Sequence, residues 1–280
     1  MTAVPAEDGV FGDVPETVYH GDLGSLSCSS AKALLKSPYK FHWSRTQPRV
    51  QKSYFDLGHY VHGKALGVGE PVAILDYPDF KTKAAREERD QAYAEGKVPI
   101  LTKDAALGDA MVAALLGHET AGELLAAPDA VEHSAYWHDP LTHVRLRSRF
   151  DLFSFVDDWL LIADVKTTSV TADPRAWGGA VAAKTGLHIQ DAWYRTAAAA
   201  TGLAPDPERI DFVFINVETE PPHMVSVTRL PSRAVRVGAQ KMRAAVDLFA
   251  KCTRSDVWPS YGPGITTVEM PNYFYYQEEE

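Results

Sequence analysis

Apolar residues alternate with polar ones, or form short apolar runs, at five places after residue 130. Stretches of this kind, bounded by turn residues, are typical of β-strands. Asp157 and Asp158 separate the second stretch from the third and predict the tight turn of a hairpin. The predicted strands cover residues 131–137, 143–156, 159–167, 209–218 and 224–230.

Apolar positions spaced three and four residues apart predict helices before, between and after these strands. Ser27 or Ser29 can cap the first helix, which runs to about Lys36, where Ser37-Pro38 stops it. The other predicted helices cover residues 55–66, 81–94, 102–116, 119–126, 175–200 with a break near Gly186, and 232–252. Helices come first, then a meander of strands, then a helix, two strands and a helix. This order predicts an α/β fold with a mixed central sheet flanked by helices.

The length of 280 residues allows one large domain or two small ones. Residues 1–22 are rich in Pro, Gly and Asp, and we expect a flexible lead-in there. We assign residues 23–265 to a single domain, with a helical part at 23–128 and a sheet core at 129–252. Residues 266–280 form an irregular C-terminal tail in this interpretation.

No run of about 18 apolar residues occurs, so we expect no helix that spans a membrane. The first residues carry acids and no apolar stretch, and they do not resemble a secretory signal. Cys28 and Cys252 are the two cysteines, which fits a reducing compartment and excludes a metal or iron–sulfur site built from cysteines. We therefore expect an intracellular, cytoplasmic protein.

The formal net charge is -9, which by itself argues against a nucleic-acid partner, since Lys and Arg drive binding to phosphates. The distribution of charge weakens that argument. Between Leu23 and Phe55 there is no acid, whereas basic residues recur there. These residues are Lys32, Lys36, Lys40, Arg45, Arg49 and Lys52. Charge therefore leaves the question of a nucleic-acid partner open.

The third predicted strand is apolar on both faces until Asp164, which indicates a central strand covered on both sides. Asp164 and Lys166 are two residues apart, so their side chains share a face while Val165 points to the other. Burying a carboxylate and an ammonium is costly unless each has a partner. A metal ion held by Asp164, with Lys166 beside an activated water, would supply those partners.

The preceding strand offers a second carboxylate. Alternation places Arg145, Arg147, Arg149 and Asp151 on one face, and the hairpin can bring Asp151 to Asp164. Two carboxylates and room for water suit Mg²⁺, and the arginines could hold phosphates. The alternative is an ordinary hairpin with a cross-strand ion pair and exposed arginines. Spacing alone does not decide between these interpretations.

Asp151, followed after twelve residues by Asp164-Val165-Lys166-Thr167-Thr168, resembles the PD-(D/E)XK nuclease superfamily. More narrowly, the chain resembles the phage and prophage RecE-type exonucleases (exonuclease VIII), relatives of lambda exonuclease and of the RecB nuclease domain. Three further motifs are similar to that family: an opening helix with Ser-Pro at 27–38, Leu-Gly-x-x-x-His at 57–62, and Gln-x-x-x-Tyr at 190–194. With Trp258-Pro259-Ser260-Tyr261, the likeness spans about residues 25–265.

The resemblance implies a metal site with defined roles. Asp151 and Asp164 would be metal ligands, and the main-chain carbonyl of Val165 would add a third oxygen. Lys166 would orient the attacking water and help to deprotonate it. His62 would be a further ligand, although His59 competes with it for this role. The other residues that the resemblance adds are Glu132 as an extra acid, and Gln190 and Tyr194 as contacts to the DNA strand or to the water network.

Each of these additional residues has a simpler interpretation. Glu132 could face solvent on an outer strand, Gln190 could be exposed, and Tyr194 could belong to the core. The resemblance further implies a restriction-endonuclease-like core that follows a helical N-terminal part.

The activity implied by the resemblance is a Mg²⁺-dependent exonuclease, with Mn²⁺ able to substitute and with one or two ions per site. It would degrade duplex DNA from its 5′ ends and leave 3′ single strands for a RecT-like annealing protein. A ring-shaped homo-oligomer and a role in phage replication or recombination in the host cytoplasm follow from the same analogy. The alternatives are an endonuclease or repair nuclease on the same fold and a DNA-binding module that has lost catalysis.

Overall fold

A seven-stranded sheet and a separate two-stranded sheet lie within residues 3–47, 53–204 and 206–275, which the computed structural model describes. The strands are β1 (Gly9–Phe11), β2 (Leu26–Ser27), β3 (Val72–Leu75), β4 (Val98–Leu101), β5 (Ala130–His138), β6 (Arg145–Val156), β7 (Trp159–Thr168), β8 (Ile210–Glu218) and β9 (Val225–Thr228). The order in the large sheet is β1-β5-β6-β7-β8-β9, and β2 pairs with β6.

Helices surround the large sheet. They are α1 (Glu16–Gly21), α2 (Cys28–Lys36), α3 (Pro38–Arg45), α4 (Ser53–Leu66), α5 (Lys83–Ala94), α6 (Thr102–Gly117), α7 (Glu119–Ala126), α8 (Pro174–Trp177), α9 (Leu187–Ala200), α10 (Ser232–Ser255) and α11 (Asn272–Tyr275). A π-helical segment covers Gly178–Ala183, and a short 3₁₀ turn covers Pro207–Arg209. Of the described helices, none is both long enough and apolar enough to cross a membrane.

The pairing pattern confirms the predicted mixed sheet. β5, β6 and β7 form an antiparallel meander, and Asp157 and Asp158 make the turn between its last two strands. β8 runs parallel to β7. The connection between them passes through α8 and α9, as a parallel pair requires a crossover.

The central strands are buried on both faces. Ile162 and Phe212 belong to a large core on the side of α2, α9 and α10. Ala163 and Val213, each one residue further along, belong to a second core on the side of α4, α6 and α7. This alternation is the physical reason why the first half of β7 and most of β8 are apolar on both faces.

The N-terminal 22 residues differ from the predicted flexible lead-in. β1 pairs antiparallel with β5, with Gly9 opposite Tyr136, and Tyr19 of α1 packs against Tyr136. The guanidinium groups of Arg147 and Arg149 lie 5.1 Å and 4.4 Å from the centre of the Tyr19 ring. Composition indicated an irregular backbone, but it did not show that two arginines of the sheet take partners from this segment.

Other differences have local causes. The predicted stop at Ser37-Pro38 is also a start: Ser37 Oγ accepts a hydrogen bond from Lys40 N–H at 3.4 Å, and proline in the first turn opens α3. The break expected near Gly186 is present, with Gly186 in the left-handed region at φ 69°. The small parallel sheet of β3 and β4 was not predicted, because each strand has only four residues.

The segment after α10 returns to the N-terminal half. Trp258 stacks on His42 at 4.5 Å between ring centres, and Tyr39 N–H donates to the Pro259 carbonyl at 3.1 Å. Beyond this contact several apolar side chains are exposed, among them Ile265. The acidic residues at 278–280 lie outside the described residues.

Candidate metal centre

Asp151 and Asp164 lie where β6 and β7 stop pairing. The hairpin register runs from Val156 opposite Trp159 to Leu152 opposite Ala163, and the two aspartates are the next residues on each strand. Asp151 Oδ2 accepts a hydrogen bond from Val165 N–H at 2.8 Å, which ties this carboxylate to the neighbouring strand. The hairpin therefore brings both acids to one place, as the sequence predicted.

The strand β6 is locally irregular at Asp151. Phe150 and Phe153 both pack in the large core, whereas Leu152 packs in the second core. Regular alternation would place Phe150 and Leu152 on the same side. The change of side at Asp151 explains how its carboxylate reaches groups from the helical layer over the second core.

His62 of α4 completes a cluster with two of the acids. Its Nε2 lies 3.0 Å from Asp151 Oδ2 and 3.5 Å from Glu132 Oε1. The ligand atoms of these three residues all lie within 4.8 Å of one another. α4 passes close to the end of β7, since a Cβ at Gly58 would lie 3.7 Å from Thr167 Oγ1. His59, the competing histidine, is exposed and lies outside the cluster.

Glu132 reaches the cluster because the backbone of β5 is distorted there. Val131 pairs with Leu152 and His133 with Phe150, but Glu132 stands between these pairs with φ 55°. A left-handed backbone at a residue other than glycine costs about 1–3 kcal/mol and is concentrated at functional sites. Arg149 Nη1 lies 3.5 Å from Glu132 Oε2 on the other side of the carboxylate.

Asp164 lies beside the cluster with two partners of its own. The Lys166 ammonium forms an ion pair with Asp164 Oδ2. Gln190 Nε2 of α9 donates to Asp164 Oδ1 at 2.6 Å. Asp164 is only 1% exposed, so this ion pair and this hydrogen bond offset much of the cost of burying its charge.

The charged groups shift one another's pKa values. Burial lowers the pKa of His62, but the charge of Asp151, its hydrogen bond and the charge of Glu132 together raise that pKa to about 9. Burial opposes ionisation of Asp151, yet His62, Lys166 and the Val165 N–H keep its pKa below the ordinary value. The pKa of Lys166 is raised despite burial, because Asp164 and Asp151 are near.

Two acids of the site, Glu132 and Asp164, have raised pKa values. Burial and the charge of Asp151 raise the pKa of Glu132 to about 7. Burial and the charge of Asp151 also raise the pKa of Asp164 to about 6. A divalent cation would favour the ionised form of both carboxyls. The donor set of one imidazole and neighbouring carboxylates therefore fits a divalent metal ion.

Two of the residues predicted to contact DNA, Gln190 and Tyr194, are buried. Gln190 is buried against Asp164, and Tyr194 is 9% exposed, with its ring between those of Phe150 and Phe212. Tyr194 is thus largely a core residue. Gln190 reaches the site through a carboxylate and not from an exposed helix face.

The two arginines of the prediction contact protein groups. Arg147 is 5% exposed, its Nη1 donates to Ser25 O and Oγ at 2.7 Å, and it pairs with Asp22 at 3.6 Å. This placement corrects the expectation that Arg147 holds a phosphate, because a buried guanidinium is not accessible to DNA. Arg149 donates to Ser134 Oγ at 3.0 Å and to the Val14 carbonyl at 2.7 Å in addition to approaching Glu132.

A cleft of about 1160 Å³ gives access to the metal centre. Its floor carries His62, Glu132, Asp151 and Lys166, and its walls come from α1, from the start of α2, and from residues 68–72. The wall from α1 was missed by sequence analysis. No motif marks it, and its position depends on the pairing of β1 with β5.

The fold and the site together define a domain of the PD-(D/E)XK nuclease superfamily. Residues 27–269 match the family described as "PDDEXK-like domain of unknown function (DUF3799)", and the chain belongs to this family. A protein from Eubacterium rectale named "Putative exonuclease" has a similar structure, with a TM-score of 0.54 and 11% identity, over 91% of this chain and 94% of that one. At this identity the likeness shows the fold alone.

A second solved structure, SSO0001, is 12% identical over 70% of this chain and 87% of its own, with a TM-score of 0.27. That score is too low to carry an argument. No curated protein matches the chain significantly.

Proposed function

We propose that the protein is a Mg²⁺-dependent exonuclease that hydrolyses phosphodiester bonds of duplex DNA. The observation that carries the proposal is the cluster of His62, Glu132 and Asp151 beside the Asp164–Lys166 ion pair, at the floor of an open cleft. Membership of a PDDEXK-like family supports hydrolysis by this site. Carboxylate-rich sites with room for water suit Mg²⁺, and Mn²⁺ prefers the same ligands.

His62, Glu132, Asp151 and Asp164 are the side chains that would hold one or two ions, together with the main-chain carbonyl of Val165. A bound divalent ion supplies Lewis-acid polarisation of the phosphate and a lowered pKa for water. Each protein group then has a separate task.

Lys166 keeps its proton next to Asp164, so its Nζ donates hydrogen bonds that orient the attacking water and stabilise negative charge on the phosphate. Gln190 fixes the rotation of the Asp164 carboxylate by donating to Oδ1. Arg149 and the left-handed backbone at Glu132 hold the third carboxylate against the cluster. These contacts fix the carboxylates and the ammonium in place before reaction, so that less ordering is required at the transition state.

The finer parts of the proposal rest on the resemblance to RecE-type exonucleases. They are degradation from 5′ ends, release of 3′ single strands to a RecT-like annealing protein, and assembly into a ring of identical chains. The name of the Eubacterium rectale protein supports an exonuclease over an endonuclease by analogy.

Incubation with end-labelled linear duplex and with circular duplex tests the proposal. With Mg²⁺ or Mn²⁺ we expect loss of the linear DNA, release of label from the 5′ end first, and intact circles. A chelator should stop the reaction. Nicking of circles would contradict the exonuclease and support an endonuclease on the same fold. Absence of cleavage under all metal conditions would contradict a nuclease and support a DNA-binding module.

A further inference from the structure

Three helices meet on one side of the metal centre. A Cβ at Gly238 of α10 would lie 1.8 Å from the His188 carbonyl oxygen of α9, so these two helices are in backbone contact. A Cβ at Gly186 would lie 3.5 Å from Cδ of Lys32, so the stem of Lys32 on α2 rests against the residue before α9. Lys32 also lines the cleft together with Lys166.

Lysines connect this junction to the metal centre. Burial lowers the pKa of Lys32, and the positive charges of Lys166 and Lys36 lower it further. Burial and the positive charges of Lys32 and Lys241 lower the pKa of His188. Lys36 lies one helical turn beyond Lys32 on α2, and Lys241 lies about one turn beyond Gly238 on α10, so both lysines extend outward from the junction of the three helices. We call Lys32, Lys36 and Lys241 the lysine track.

The lysine track has no ion-pair partner among the described residues, although the negative charge of Asp164 acts on Lys32. Within the described ranges, none of its three members forms an ion pair with a carboxylate. The sequence of α2 contains no acid, and the one acid in α10, Asp247, is 2.8 Å from Arg243. Three lysines grouped without an ion pair attract an external anion such as a phosphate.

The other charged residues that line the cleft include both acids and bases, among them Glu16, Lys64 and Arg149. Glu16 of α1 lines it and lies near enough to Glu132 to raise the pKa of that acid, after burial and the charge of Asp151. The negative charge of Glu16 on α1 repels a phosphodiester backbone, whereas the positive charge of Lys32 on α2 attracts it.

We propose that the DNA backbone reaches the metal centre along the lysine track, over the junction of α2, α9 and α10. This inference rests on the proposed function, because it assigns the route by which the substrate of that same site enters. It replaces the expected phosphate contact of Arg147, which is buried, by lysines whose ammonium groups face the cleft or the solvent. Lys36 and Lys241 are the exposed lysines of the track. Neither forms an ion pair with a described residue that would hold the metal.

The test measures DNA binding of the full chain in chelator, so that no cleavage occurs, across a range of salt concentrations. We expect the double variant Lys36→Gln/Lys241→Gln to bind duplex DNA about tenfold more weakly at low salt. Its plot of log affinity against log salt should be less steep by about two, because two phosphates are no longer neutralised by the protein. Lys81→Gln/Lys83→Gln is the matched control, since it removes the same two charges from exposed positions outside the cleft.

The outcomes separate the two proposals. A salt dependence of the double variant equal to that of the unmodified chain would overturn the lysine track, even if the chain cleaves DNA with Mn²⁺. Weakened binding by the double variant, together with no cleavage by the unmodified chain under any metal condition, would support the track and reject the nuclease. Displacement of DNA by polyglutamate at equal charge, with no response to the lysine substitutions, would also overturn it.

Discussion

The Nε2 atom of His62 lies 3.0 Å from Oδ2 of Asp151, and this contact joins the helical part of the chain to the sheet. His62 comes from α4, which packs on the second core through Val61, and Asp151 comes from the irregular point of β6. Eighty-nine positions separate the two residues in the sequence. The metal centre therefore depends on the docking of two separate layers.

Replacement of His62 by alanine should weaken metal binding. The substitution removes the one nitrogen ligand of the cluster and leaves Glu132 and Asp151 with less compensation for their charges. We expect the affinity for Mn²⁺ to fall by about tenfold or more, measured by calorimetry on the intact chain. His59→Ala is the control, because His59 is exposed on the same helix. An equal or larger effect of His59→Ala would show that the ligand had been assigned to the wrong histidine.

Replacement of Lys166 by alanine should slow cleavage strongly and preserve DNA binding. The ammonium is paired with Asp164 and stands beside the acids that would hold the metal, so its loss removes the hydrogen-bond donor that orients the water and stabilises charge on the phosphate. We expect the cleavage rate to fall by about 10²–10⁴-fold, measured under single-turnover conditions with Mn²⁺. A parallel loss of binding in chelator would instead indicate that Lys166 acts by holding the fold or the substrate.

The sequence predicted the parts of this site that follow from regular alternation. Asp164 and Lys166 are two residues apart on β7, which is buried on both faces. The turn at Asp157 determines that β6 pairs with β7. The pairing predicted that Asp151 lies near Asp164, but the change of side in β6 at Asp151 did not follow from alternation. The assignment of His62 required the resemblance, because nothing in the amphipathic pattern of α4 distinguishes a ligand from a packed histidine.

Other parts of the site depend on departures from regular geometry. Glu132 reaches the metal centre because its backbone is left-handed, and no residue type in β5 predicts that distortion. Arg147 is spaced correctly to share a face with Arg149, but the N-terminal segment covers it. Alternation gives the face of a residue, whereas its accessibility depends on what packs on that face. For Arg147 that packing involves Ser25, which is 122 positions away in the sequence.

Asp191 should make the stability of the protein depend on pH. Burial raises its pKa to about 6, although Arg195 lowers it. The folded chain then keeps a proton that the unfolded chain releases near pH 4, so the free energy of unfolding falls as pH rises from about 4 to about 6. A shift of about two pKa units corresponds to about 3 kcal/mol at most.

Asp191→Asn removes this titration, and its amide oxygen can still accept from Arg195 Nε. The difference in unfolding free energy, variant minus unmodified chain, should therefore grow between pH 4 and pH 6 and stay constant above. Urea unfolding in chelator at several pH values measures it. Parallel pH profiles for the two proteins would show that Asp191 does not titrate in this range in the folded state.

A methyl group at position 238 should be among the most destabilising small changes in the chain. The Cβ of Gly238→Ala would lie 1.8 Å from the His188 carbonyl oxygen and 2.5 Å from its carbon, so α9 and α10 would have to move apart. We expect a loss of about 1–3 kcal/mol or more in the free energy of unfolding.

Gly117→Ala is the matched control, because nothing lies within 4 Å of its Cβ position at the end of α6. There, alanine should change the free energy of unfolding by less than about 1 kcal/mol. Because α9 also carries Gln190, the movement should lengthen its hydrogen bond to Asp164 and slow cleavage in the fraction of Gly238→Ala that remains folded. Equal stability of the two variants in urea unfolding would mean that α9 and α10 are not in backbone contact and that the junction beside the metal centre has room for a side chain.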